Sequence, residues 1–296
     1  MPSFDSLASL PKNHPHIRLL TGKTPFFAST FDQRFSFSLY VPKGHSFSGP
    51  ELPLLVIIHG TRRQTGKYAD KLKQFCEDHN VVLMTPLFPA GIEDPEDLHN
   101  YKNIIYNNIR FDTLLLSMID QASRVWRLQT DRFYLHGFSG GGQFAHRFLY
   151  LYPDRLAGVS IGAPGRITQP DTDHSWPAGL GGVEQVFGIC GVPNHRAVAQ
   201  VPIQLVVGEE DENTALLKLA KKKNQAESEA ENRVERIQWL KAAWEKCGIQ
   251  SELAVVPGVG HDGIKCLSPV EEWFVSLIKG QSTTGREGGK TEHRRR

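Results

Sequence analysis

A chain of 296 residues with 40% hydrophobic and 22% charged residues is long enough to bury a large core, and α/β chains of this size commonly form one domain. A net charge of +2, with no apolar stretch approaching roughly 18 residues, argues against both a nucleic-acid partner and a membrane span. The four cysteines, Cys76, Cys190, Cys247 and Cys266, lack CxxC spacing, which argues against a zinc knuckle or a dense disulfide framework and points to free thiols.

Residues 1–31 read as an N-terminal arm. Their start, "MPSFDSLASLPKNHPHIRLL", has no basic stretch followed by an apolar core, so the sequence reads as a soluble, cytoplasmic protein. "RFSFSLYVP" alternates, with Phe35, Phe37, Leu39 and Val41 on one side, which predicts a half-buried strand. "LPLLVIIHG" is a continuous branched apolar run, the pattern of a strand covered on both faces, and similar runs follow at 81–85, 132–137, 157–162, 203–208 and 252–256.

Helical segments separate these runs. "NRVERIQWLKAAWEKCGI" places Val234, Ile237, Leu240, Trp244 and Cys247 three or four apart, with Gly248 as a left-handed stop. "SPVEEWFVSLIKG" is predicted to begin at an N-cap Ser268 and to end at Gly280. Strands alternating with helices imply a mostly parallel central sheet with helices on both faces, occupying residues 32–279. Residues 165–200 are rich in Gly, Pro and polar groups and predict a long loop or small lid-like insertion. The charged stretch 215–230 predicts a solvated face, and residues 280–296, which end in "GREGGKTEHRRR", predict a disordered basic tail.

"LHGFSGGGQF" places Ser139 between a strand and a helical pattern, in the order Gly137-Phe138-Ser139-Gly140-Gly141, which is GxSxG. In a sharp strand-to-helix turn the serine is lifted above the sheet edge, and its neighbours two positions before and after pass too close to other backbone for a side chain. That is the physical need for Gly137 and Gly141. A phosphate-binding loop does not fit, because the spacing is not GxGxxG and no GKS or GKT follows.

Serine needs a base, and the base needs a carboxylate to orient it. After the run 203–208 come Glu209, Glu210, Asp211 and Glu212, and after 252–256 comes His261 among Gly258, Gly260 and Gly263. A short loop leaving through Gly208 turns its third residue toward the histidine, so Asp211 is the candidate acid, with Glu210 in reserve. His59, His136 and His146 precede the serine or lie too near it, and His59 reads as a structural residue beneath the site. His174 and His195 fall in the lid region, where they read as surface residues.

A tetrahedral intermediate needs donors for its oxyanion. Gly140, at the start of the helix after Ser139, supplies one amide, and Thr61, in "HGTRRQ", is the candidate for the second. Arg62 and Arg63 read as two solvated arginines, although either side chain is able to meet a substrate carboxylate. Trp176, in the insertion, is expected to line the acyl or alcohol pocket.

Taken together, "FSLYVPKG", "LVIIHGT", "TDRFYLHGFSGGGQFAHRFLYLYPDRLAGVSIGAPG", "VVGEEDENT" and "VPGVGHDG" resemble the α/β-hydrolase superfamily, and within it the esterases similar to polyhydroxybutyrate depolymerases and feruloyl esterases. The resemblance implies an α/β-hydrolase fold, a Ser139–Asp211–His261 triad, and an oxyanion hole from Thr61 and Gly140. It also implies a serine hydrolase that cleaves a carboxylic ester with no cofactor and no metal. Many of those esterases are secreted, and the absence of a leader favours a small ester, lactone or thioester as the substrate. A serine peptidase or acyltransferase on the same triad, and a non-catalytic binding protein, are the competing readings.

Overall fold

The computed structural model describes residues 7, 9–11, 14–212 and 232–284, with side chains through residue 280. The charged stretch 215–230 and the last twelve residues of the basic tail lie outside the described residues. In chain order the strands are β1 (Gly22–Lys23), β2 (Phe27–Ala28), β3 (Ser36–Val41), β4 (Leu52–Ile58), β5 (Val82–Leu87), β6 (Ile105–Tyr106), β7 (Ile109–Arg110), β8 (Leu128–Phe138), β9 (Leu156–Gly162), β10 (Ile203–Gly208) and β11 (Glu252–Val256). The helices are α1 (Pro15–Leu20), α2 (Thr65–His79), α3 (Phe111–Ser123), α4 (Gly140–Leu151), α5 (Val183–Phe187), α6 (His195–Val198), α7 (Arg233–Lys246) and α8 (Leu267–Thr284).

Among the described residues the main sheet has nine strands in the order β1-β3-β5-β4-β8-β9-β10-β11, with β2 also on β3. From β5 to β11 every neighbour is parallel. Antiparallel pairing in this sheet is confined to β3, which pairs so with β1, β2 and β5. Parallel neighbours need long crossovers, and α2, α3, α4 and α7 supply them. From β4 the chain steps outward to β5, then returns across β4 to β8. This reversal opens a crevice at the carboxyl ends of β4 and β8, where an open α/β sheet binds ligands.

The apolar runs fold as strands, with two differences in burial. β3 is not half-buried: every residue from Phe37 to Val41 is buried. The polar face is covered as well, because the Ser38 hydroxyl bonds that of Thr85 at 2.9 Å and the Tyr40 hydroxyl donates to Glu77 of α2 at 2.8 Å. β11, conversely, is not covered on both faces. Among the described residues it is the sheet edge, paired only with β10, and it exposes Glu252 and Val255.

On α7 the predicted stripe is buried at Ile237, Leu240 and Trp244, Asn232 caps the start by accepting from Glu235 N, and Gly248 takes φ +77°. α8 does not stop at Gly280. The glycine keeps a right-handed backbone and the helix runs to Thr284, so five residues assigned to the tail are helical.

α4 is buried along its whole length. Phe144 and Phe148 pack toward the sheet against Phe88 and Phe133. The opposite face is polar but satisfied: Arg147 donates to Thr168 Oγ1 (2.8 Å), His146 Nε2 accepts from Thr168 N (2.9 Å), and Tyr150 donates to the Thr168 carbonyl (3.0 Å). Burial holds His146 neutral, well below its ordinary pKa. These bonds fasten the insertion 165–200 to α4. The segment is mostly irregular, with α5, α6 and a bridge between Ser175 and Gly181.

Candidate active site

β8 ends at Phe138 and α4 begins at Gly140, so Ser139 alone makes the turn, at φ +59° and ψ −113°. That backbone is strained for a residue with a Cβ, and the surroundings hold it in place. Ser139 N donates to Gly162 O at the end of β9 (2.8 Å), and Ser139 O accepts from Gln143 N (3.0 Å). The glycines on either side are required by contact. A Cβ on Gly137 would lie 2.2 Å from Gly141 O, and one on Gly141 would lie 2.1 Å from Ile58 O in β4. Gly141→Ala should therefore cost about 3 kcal/mol of stability, since β4 and α4 must part to admit a methyl group. A denaturation midpoint equal to wild type would contradict this close approach.

Two loops bring the partners to the serine. Gly208 ends β10 against the loop after β11, where a Cβ would meet Val259 O at 2.1 Å. Glu210 N donates to the same carbonyl at 2.9 Å. From this junction His261 Nδ1 donates to Asp211 Oδ2 at 2.6 Å, and His261 Nε2 accepts from the Ser139 hydroxyl at 2.9 Å. Asp211 is fully buried, whereas Glu210 and Glu212 are exposed and Glu209 accepts from Gly258 N. Burial thus separates the four acids of the loop.

The other Asp211 oxygen, Oδ1, meets the Arg233 guanidinium at 3.2 Å, and Arg233 is itself only 4% exposed. Sequence reasoning missed this residue. Its signal was its place four residues before Ile237, on the buried stripe of α7, where a charged side chain demands a partner. Removing it leaves Asp211 oriented by His261 alone. Arg233→Met should lower kcat by about tenfold, slow labelling of Ser139 by a serine-directed phosphonate, and cost about 3–5 kcal/mol of stability. Unchanged labelling and kcat in a destabilised variant would reduce Arg233 to a packing role.

The loop after β4 closes over the turn. A Cβ on Gly60 would lie 3.5 Å from Phe138 O, and one on Gly140 would lie 3.4 Å from Thr61 N. The Thr61 amide has no protein acceptor among the described residues, and the Gly140 amide, first in α4, has none within its helix. Two free donors therefore stand side by side next to Ser139. Beneath them His59 is buried, donating to Gly60 O and accepting from Phe88 N, and desolvation pushes its pKa down to about 3. It is neutral at any physiological pH and serves as a strut.

Arg62 is exposed as expected, but Arg63 is not a solvated arginine. It donates to the carbonyls of Phe88, Thr61 and Leu98 and to Asn100 Oδ1, and its guanidinium lies over the Tyr101 ring. It therefore clamps the loop that carries Thr61.

The cavity holding Ser139 and His261 has a volume of about 620 Å³, and Trp176 does not line it. Trp176 donates from its indole to Asn103 O at 3.1 Å, packs edge-on against Phe187, and lines a separate cavity of about 540 Å³ with Arg147 and Trp239. The insertion is anchored through Thr168 to the face of α4 that points away from the sheet. His174, paired with Asp171, lines the same second cavity, and His195 opens α6.

No family model matches the chain, and no curated protein sequence matches it. Solved structures do. They include a poly(3-hydroxybutyrate) depolymerase from Bordetella parapertussis, at 23% identity and a TM-score of 0.64 over 82% of this chain and 84% of that one. A poly(aspartic acid) hydrolase-1 from Sphingomonas sp. KT-1 matches at 19% identity and 0.67, over 85% and 98%. An S-formylglutathione hydrolase from Staphylococcus aureus matches at 16% and 0.57, over 86% and 97%. With the strand order and the strained serine turn above, these likenesses define the fold: the chain is an α/β-hydrolase-fold protein.

Proposed function

We propose that the protein is a serine hydrolase that cleaves a small carboxylic ester, thioester or lactone through an acyl-enzyme intermediate. The observation that carries this reading is the unbroken relay from Ser139 Oγ through His261 to the buried Asp211, at 2.9 and 2.6 Å. His261 removes the hydroxyl proton as Ser139 Oγ attacks the substrate carbonyl, and Asp211 fixes the imidazole tautomer and stabilises the imidazolium. The amides of Thr61 and Gly140 receive the oxyanion. His261 then protonates the leaving alcohol, and water activated by the same nitrogen releases the acid. Nucleophile, base and electrophilic donors are all protein groups, so the reaction needs no metal or organic cofactor.

The cavity volume supports a small-molecule substrate rather than a long polymer segment in its entirety. All four cysteines are free thiols, which supports a reducing, cytoplasmic setting. No described helix is long and apolar enough to cross a membrane. The test is a panel of matched aryl esters, thioesters, lactones and peptide anilides, followed to the pre-steady-state burst. Turnover of the esters with a burst of leaving group is the expected result. Cleavage of the anilides alone would replace the esterase reading with a peptidase, and no turnover of any member would overturn it.

A further inference from the structure

The cavity that holds Ser139 is unevenly charged. Among the described residues, Arg62, Arg63, Lys67 and Arg233 line it against the single carboxylate of Asp262. Two of these cations are committed to the protein, Arg63 to the carbonyls named above and Arg233 to Asp211. The Asp262 carboxylate accepts from Ile264 N and Lys265 N through Oδ1 and closes its own turn. Arg62 and Lys67 remain. Both are exposed, and among the described residues neither has a carboxylate within salt-bridge reach.

Their surroundings add to the positive potential. Lys67 sits in the first turn of α2, which holds no acidic residue and receives no side-chain cap from Gln64, another lining residue. A concave wall of lower dielectric focuses such charges far more than a convex surface does. Position matters as much as sign. Arg62 directly follows Thr61, whose amide stands beside that of Gly140, so Arg62 is tethered one residue from where a carbonyl oxygen would rest, a step of about 3.8 Å along the backbone.

We infer that the substrate preferred by this site carries a carboxylate, separated by a short spacer from the scissile carbonyl and bound by Arg62 and Lys67. The inference rests on the hydrolase reading above. It leaves the carboxylate on either side of the ester bond, a choice the test separates. In a half-ester of a dicarboxylic acid the charge stays with the acyl-enzyme, whereas in an ester of a hydroxy acid it departs with the leaving alcohol.

The experiment compares kcat/KM for two pairs of neutral and anionic substrates of equal length. The first pair is phenyl esters of a dicarboxylic acid and of its methyl-ended analogue. The second is acetate esters of a hydroxycarboxylic acid and of the corresponding alcohol. At low salt the carboxylate member of one pair should lead by about tenfold or more, and the lead should shrink as added salt shortens the screening length. Combining Arg62→Ala with Lys67→Met should remove most of that preference, and both positions are exposed, so the fold should survive the double change. Turnover of the neutral esters with no anionic preference in either pair would overturn this inference alone. So would a preference that survives both salt and the double variant. Absence of Ser139-dependent turnover of every substrate would overturn the hydrolase reading, and this inference with it.

Discussion

Ser139→Ala should lower kcat by at least about a thousandfold on every ester the wild-type protein cleaves, with the unfolding transition almost unmoved. Among the described residues the hydroxyl makes one hydrogen bond, to His261 Nε2, and the residue is partly exposed at the turn. Its removal empties no core volume, and alanine retains the Cβ that already tolerates φ +59°. Any residual rate would come from the Thr61 and Gly140 amides, which polarise a bound carbonyl even without a nucleophile beneath it. Steady-state kinetics beside a denaturant titration separates the two effects. Turnover within a few-fold of wild type would remove Ser139 from the chemistry.

Asp211→Asn should lower kcat by about ten-thousandfold, while Glu210→Gln should change it by no more than a few-fold. An asparagine at 211 turns a donor or a weaker acceptor toward His261 Nδ1, so the imidazole no longer keeps its Nε2 lone pair toward Ser139. The same change strands the Arg233 guanidinium in a site where both groups are almost fully buried, at a cost of about 3–5 kcal/mol. The kinetics must therefore be taken where circular dichroism reports a native variant. Glu210 is exposed and offers only its amide to the neighbouring loop, so its carboxylate is dispensable. The reverse ranking of the two variants would assign the acid to Glu210.

Why some of this was legible in the sequence and some was not follows from how each feature writes itself into residues. The serine turn is legible because close backbone approach excludes side chains. Gly137 and Gly141 are glycines for contacts of 2.2 and 2.1 Å, and that leaves a local pattern. The meeting of Asp211 with His261 is legible from strand ends alone, since parallel strands deliver their loops to one edge of the sheet. The burial of β3 was not, because alternation reports which residues are apolar and says nothing of a helix laid over the polar face by Tyr40 and Glu77.

Long-range partners are the harder case. Arg233 lies 22 positions from Asp211, and no local spacing ties the two together. Trp176 sits in an insertion whose direction is set by three bonds from α4 to Thr168, a tertiary constraint absent from its own composition. Gly280 shows the converse: an isolated glycine is a stop only when the backbone turns left-handed, and here packing of α8 on the sheet carries the helix through it.

Covalent labelling separates an activated nucleophile at Ser139 from an ordinary serine. Wild-type protein treated with a small fluorophosphonate, digested and mapped by mass spectrometry should carry one phosphonyl adduct, on the peptide that contains Ser139. Labelling should be abolished by Ser139→Ala and strongly slowed by His261→Ala. An adduct on another residue, or no adduct from a protein that still turns over esters, would mean that Ser139 is not the nucleophile.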